Sequence, residues 1–306
     1  MLAELEARTP PKAALALAVV AVSTSAILVR WSHAPAVVKA FYRVAFTVLL
    51  LAPFSVRDAG ALGRLSRRDV AFAAVAGVAL AAHFATWFES LRYTSVAASV
   101  TLVQAQPLFV AVGAALLLDE RISTRTALGV AVALAGMVVM SAADLVGGAA
   151  LAGSRPLLGD ALAVAGAVMA ACYVLAGRSL RQRVPLVPYV TVVYTVCALA
   201  LLGVAVARGR PLVGYRPREW LLFLAMAVGP GVLGHTAVNW ALAHVESSVV
   251  SVSLLGEPVG STILALVLLG EVPGWWTVLG GGVVLAGILV TTRSRAGAGH
   301  PARQDG

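Results

Sequence analysis

Glu257 stands in the middle of a long apolar stretch, immediately before Pro258, and Gln106 stands before Pro107 in another. An ionised carboxylate at the centre of a bilayer costs about 2.5–3.5 kcal/mol on insertion scales, so it faces a cavity or a partner rather than lipid. Such a group can exchange a proton when desolvated, or pair with a cationic part of a ligand. The plainer reading is a packing glutamate bonded to a neighbouring helix. Gln104 lies two residues before Gln106, and Ser253 lies one turn before Glu257 on its face. Each proline removes a main-chain donor and frees a carbonyl. Paired interruptions at matching places point to a transport site, so Glu257, Gln106, Gln104 and Ser253 are candidate substrate-lining residues.

Arg43 is the second expensive charge, about seven residues into an apolar run. Its planar fork suits a carboxylate or phosphate. The alternatives are a salt bridge or an interface anchor with the side chain reaching towards the surface. His83, Thr86 and Ser90 recur at helical spacing, with Trp87 beside them. Gly229-Pro230-Gly231 should loosen its segment, and His235 and Asn239 follow one turn apart. Thr24, with Ser23 and Ser25, and Tyr173, beside Cys172, occupy the first segments of the two halves. All are candidate cavity lining. A lone intramembrane histidine is as readily a satisfied structural donor, and Trp87, Tyr93 and Trp240 also suit the membrane interface. Trp275 and Trp276 read as interface residues, and Glu120 and Glu271 as helix-ending acids with a compensating contact across the repeat.

The elements that must position these residues are membrane helices. The chain has 306 residues, is 60% hydrophobic and 12% charged, and has a mean hydropathy of +0.90. Soluble domains carry about 25% charge. Ten windows are long enough to span a bilayer: 13–29, 36–54, 70–91, 96–118, 126–143, 158–176, 188–207, 219–242, 248–269 and 275–292. They lack the alternation of barrel strands, and lipid requires an internally satisfied backbone, so the fold class is all-α. Arg8 and Lys12 ahead of the first run resemble a signal peptide, but nine further apolar segments favour a retained helix. Cys172 and Cys197 read as small core residues.

The second half repeats the first at an offset of 151 residues. Leu91 meets Leu242, Pro107 meets Pro258, Leu118 meets Leu269, Glu120 meets Glu271, Gly129 meets Gly280 and Gly136 meets Gly287. Shared apolar composition aligns leucines by chance, but not also a proline, a glutamate and two glycines. Each repeat holds five helices, an odd number, so the second is inverted in the membrane relative to the first. With the N-terminus inside, fourteen Lys and Arg fall on cytoplasmic flanks against eight outside, which favours both termini in the cytoplasm of a cell-membrane protein. The expected organisation is a cytoplasmic segment 1–12, a first repeat 13–143, an external linker 144–157, a second repeat 158–292 and a disordered basic tail 293–306. Small-residue faces at Gly129 and Ala133, or Gly282 and Ala286, suit close helix packing or a homodimer through the fifth and tenth segments. Gly256 and Gly260 offer a similar face beside Glu257.

The strings SLRYTSVAASVTLVQAQPLFVAVGAALLLDERIS and ALAHVESSVVSVSLLGEPVGSTILALVLLGEVP share one order. A helix ends in a small residue and leucine, a polar turn follows, and an apolar helix is broken by proline and closed by glutamate. This resembles the drug/metabolite transporter superfamily in its ten-helix branch with two EamA domains, over roughly residues 13–292. FYR at 41–43 resembles the family's arginine-bearing second helix. The resemblance implies transport of a small molecule, with amino acids, nucleotide sugars, drugs and other metabolites all within its range.

The reading is therefore an integral membrane secondary transporter, an exporter of small metabolites (amino acids or related compounds, or drugs), using alternating access around a midplane cavity. Proton coupling through Glu257 is one option. The net charge of +9 sits on segment flanks and does not point to nucleic acid. No P-loop, zinc spacing or nucleophile motif is present in the sequence, so no cofactor, no metal and no ATP-driven catalysis are expected. The competing readings are a membrane-embedded enzyme acting on a lipid-like substrate and a non-transporting membrane subunit.

Overall fold

The computed structural model describes residues 11–57, 60, 63, 65–118, 122–146, 153–181, 184, 186–234 and 253–298. Among them every regular element is helical. The helices are α1 (Pro11–Trp31), α2 (Ala36–Arg57), α3 (Arg67–Ser90), α4 (Val96–Val103), α5 (Gln106–Leu118), α6 (Thr124–Val146), α7 (Pro156–Arg181), α8 (Leu186–Ala207), α9 (Pro217–Met226), α10 (Gly256–Leu269) and α11 (Trp275–Ala298). A π-helical turn, Ala227–Gly234, continues α9. By length and composition seven spans can cross a membrane, with α4 and α5 counted as one, and Thr124–Met140 and Gly256–Leu269 are shorter apolar helices. With the α9 segment these make ten.

Local chemistry explains the boundaries. Ser66 and Asp69 cap α3 reciprocally, the Asp69 amide donating to Ser66 Oγ (3.1 Å) and the Ser66 amide to Asp69 Oδ2 (3.2 Å). Ser95 accepts from the Ala98 amide to start α4. α10 ends at Gly270, whose φ of +68° is the left-handed conformation that glycine adopts without penalty.

Three expectations need correction. The windows 96–118 and 248–269 are broken, but the break precedes each proline rather than falling at it. Pro107 is the second residue of α5 and Pro258 the third of α10, and the helix is interrupted before each, at 104–105 and at Leu255. Proline is tolerated in a first turn, where its missing N–H has no helical acceptor, so it begins a half-helix more readily than it kinks a whole one. Second, α11 runs to Ala298, into the stretch expected to be a disordered tail. Third, Lys39, one of the eight charges that the topology puts on external flanks, lies inside α2 and is 4% exposed.

The two halves pack as swapped images of each other. α6 and α11 run antiparallel in close contact. A Cβ added at Gly129 would lie 2.8 Å from the Gly287 carbonyl oxygen and 2.8 Å from the Thr291 amide nitrogen. One added at Gly280 would lie 2.8 Å from the Gly136 oxygen and 2.8 Å from the Met140 nitrogen. Moving each residue of the first set by the 151-residue offset produces the second. The same exchange relates α3 on α7 to the π-turn on α1, and α4 and α5 on α7 to α10 on α1. The Gly129–Ala133 face is thus covered within the chain, while Gly282 and Ala286 face outwards. Gly256 and Gly260 close against Val19 and Ser23 of α1.

One core cluster gathers Ile27, Phe88, Leu91, Leu201, Phe223 and Met226, and a second Leu102, Leu108, Met140 and Ile288. Outside them, Leu116, Leu117 and Val267 are 77%, 73% and 72% exposed. So continuous an apolar exterior is the surface that lipid covers. Trp275 and Trp276 are also exposed, as interface residues should be.

Candidate functional site

Both helix interruptions meet at one place. Gln104 ends α4 and Glu257 lies in the first turn of α10, and Gln104 Nε2 donates to Glu257 Oε2. Pro107 and Pro258 have no N–H for the carbonyls of Val103 and Leu254, so the backbone here cannot close as a helix. α1 latches the second interruption. Ser261 Oγ donates to the Ser23 carbonyl (3.0 Å), and Ser23 Oγ donates to Val19 O (2.7 Å) and lies 3.4 Å from the Glu257 carbonyl.

Arg43 approaches the same centre from α2. It is 4% exposed, so it does not reach the surface. Its Nη1 donates to Ser25 Oγ (3.0 Å), and its guanidinium lies 4.6 Å from the Phe84 ring centroid and 5.7 Å from that of Phe88. Among the described residues Arg43 has no carboxylate within ion-pair distance, so the salt-bridge alternative finds no partner there. Glu257, Tyr194 and Cys197 are its electrostatic neighbours, and Tyr173 neighbours Tyr194. Stacking on two aromatic faces favours a guanidinium without consuming most of its five donors.

His83 Nδ1 sits 2.9 Å from the Gly166 carbonyl of α7, which assigns the proton to Nδ1 in that contact. This is the satisfied structural donor described above. Its ring lies 4.9 Å from Phe84 and 5.8 Å from Trp87. Trp87 is buried rather than interfacial, and among the described residues its Nε1–H has no acceptor. Such an orphaned indole donor is a standing cost or a waiting ligand contact. Thr24 returns its hydroxyl to Ala21 O (2.7 Å) and is the nearest side chain to Gly229. Pro230 is buried within the π-turn. Gln106 is half-buried and has no side-chain hydrogen bond among the described residues, and Ser253 is half-buried just before the second interruption. His235 and Asn239 lie outside the described residues.

The structure therefore brings Glu257, Gln104 and Arg43 into one centre, with His83 and Trp87 on its aromatic wall. It does not bring Gln106 to Glu257, although the repeat aligns them. Sequence reading missed Tyr194, which no pattern singles out, and the stripe Lys39–Arg43–Thr47, which a spacing of four would have revealed. All three stripe residues are buried on α2, and Thr47 Oγ1 donates to Arg43 O (2.8 Å). Glu271 has its expected compensation, from Arg30 of α1 and from the Val96 amide (3.0 Å); Glu120 lies outside the described residues.

Inverted five-helix repeats around two broken helices, with charges buried where the breaks meet, define a multi-pass membrane transporter. The EamA-like transporter family model matches residues 12–142 and 157–293. The chain belongs to that family. It is 29% identical over 213 residues to an uncharacterized transporter of Archaeoglobus fulgidus, covering 66% of this chain and 70% of that one. A second transporter of that organism is 24% identical over 285 residues, covering 92% and 96%. One from Clostridium kluyveri is 24% identical over 227 residues, covering 73% and 72%. A protein of solved crystal structure shares the fold, with a TM-score of 0.60, 23% identity, and 95% of this chain and 99% of that one covered.

Proposed function

We propose that the protein is a secondary transporter of the cell membrane, exporting small zwitterionic metabolites (amino acids or related compounds) by alternating access, with both termini cytoplasmic. The observation that carries this is the Gln104–Glu257 bond, which joins the interrupted helices of the two repeats beside the buried Arg43. A zwitterion offers a carboxylate for the guanidinium fork and an ammonium for Glu257, and the aromatic wall suits an apolar side group. Rocking one repeat against the other would break and remake this junction while the swap-related α6–α11 seam holds. The centre itself is unequal between repeats, because the swap of Gln104–Glu257 is Leu255–Gln106. The carboxylate thus belongs to one half, which suits a single proton or a single ammonium per cycle. A homodimer would use the outward Gly282–Ala286 side, since Gly129–Ala133 is covered.

Proteoliposome efflux of a panel of radiolabelled neutral amino acids tests the reading. Saturable, counterflow-competent efflux of at least one, lost in Glu257→Gln, is expected. Absence of counterflow for every member would overturn the zwitterion reading.

A further inference from the structure

A cavity of about 620 Å³ opens between the end of α1, the start of α2, the end of α3 and the end of α8. The cavity lies at the Arg30 end of α1 and not at its Pro11 end. Its lining holds five cations, Arg30, Lys39, Arg92, Arg208 and Arg210, and one acid, Glu89. Arg92 is paired with Glu89 (2.6 Å) and Arg30 with Glu271. Lys39, Arg208 and Arg210 have no carboxylate within ion-pair distance among the described residues.

Lys39 is the informative one. Its Nζ donates to Val29 O and Ser32 O, both at 2.8 Å, yet an ammonium has three protons. Among the described residues the third has no acceptor, and the side chain lines the cavity. The nearby carboxylate of Glu219 is already engaged by Ser32 Oγ (2.5 Å) and the His33 amide (3.0 Å), which hold the α1–α2 turn. That turn is therefore braced from below, and the lysine stands in a built position. Arg43 lies four residues further along the same face, about 6 Å deeper. Phe88 lines the cavity on one side and is the second aromatic neighbour of Arg43 on the other.

We propose that this vestibule binds the anionic group of the substrate, a carboxylate or a phosphate, and that Lys39 is the step between the arginines at its mouth and Arg43. The inference rests on the transport reading and names the part of the substrate that the transporter must recognise: an anionic group handed along one face of α2. A low-dielectric funnel of net positive charge concentrates anions and repels cations.

The test uses the full chain in nanodiscs, with Cys172→Ser and Cys197→Ala removing both native thiols and a single reporter thiol at Ala85→Cys in the cavity wall. An anionic methanethiosulfonate should modify the reporter on the order of tenfold faster than a cationic one, after normalising to a free thiol. Citrate and inorganic phosphate should protect it, while tetraethylammonium should not; protection by only one anion assigns the carboxylate or the phosphate. Lys39→Met should abolish protection and Lys39→Arg should preserve it. Should Lys39→Met not fold, Arg208→Gln with Arg210→Gln should bring the rate ratio to within about twofold of the free thiol. A wild-type ratio equal to that of the free thiol, or no protection by either anion, overturns the proposal. These readouts need no transport, so a site that labels and protects as expected in a chain that moves no amino acid would sink the zwitterion-export reading alone.

Discussion

Replacing Glu257 with glutamine separates the structural from the functional role of the centre. The amide is nearly isosteric and its oxygen can still accept from Gln104 Nε2. What is lost is the charge in that bond. Hydrogen bonds to charged groups contribute about 1.5–3 kcal/mol and neutral ones about 0.5–1.5 kcal/mol, a difference of about 1 kcal/mol. Part of this is returned, because the variant no longer buries a carboxylate. Stability should therefore change by less than about 1 kcal/mol, and the protein should purify and melt like the wild type. Binding behaves differently. A ligand ammonium that loses its carboxylate partner forfeits the full charge-assisted contact, about 1.5–3 kcal/mol, or roughly a 10- to 150-fold rise in the apparent constant. If instead Glu257 carries the coupling proton, the variant keeps its affinity but its transport stops responding to an imposed pH gradient. Thermal melting in detergent measures the first quantity, and proteoliposome transport with and without a gradient measures the second and third. Wild-type rates in Glu257→Gln from about pH 5.5 to 8.5, with and without a gradient, would refute both roles and leave a packing residue.

Arg43→Lys keeps the charge but loses the planar fork, so substrate affinity should fall about tenfold or more while the fold survives; unchanged affinity in both Arg43→Lys and Arg43→Gln would remove direct contact. At the α6–α11 seam, Gly129→Val and Gly280→Val should destabilise by similar amounts, each about 1–3 kcal/mol or more, because both new side chains meet main-chain atoms at 2.8 Å. Unequal melting temperatures for the two would argue against the swap-related packing. In a Cys172→Ser background, Val213→Cys, 75% exposed in the α8–α9 connection, should react with a membrane-impermeant maleimide from outside intact cells. Labelling only after permeabilisation would reverse the orientation.

Much of this architecture was written in the chain itself. Apolar windows of spanning length force helices, because lipid offers no partner for an open backbone. An aligned proline, glutamate and glycine pair exposed the duplication, and an odd helix count made it inverted. The same aligned glycines became the seam of α6 on α11, since only a missing Cβ lets two main chains approach so closely. The stripe Lys39–Arg43–Thr47 was also present as a spacing of four, but a lysine near a helix end reads as a flank charge until its burial is seen. Tertiary structure alone decided which amide meets Glu257. Gln104 and Gln106 lie on either side of an interruption, and the direction each side chain takes depends on how α5 departs from α4, a rotation that no local residue specifies. It likewise decided that Arg43 lies on Phe84 rather than on an acid, and that His83 is held by a main-chain carbonyl of the other repeat. Periodicity describes one helix at a time, whereas these contacts join helices whose relative placement is set by packing across the whole bundle.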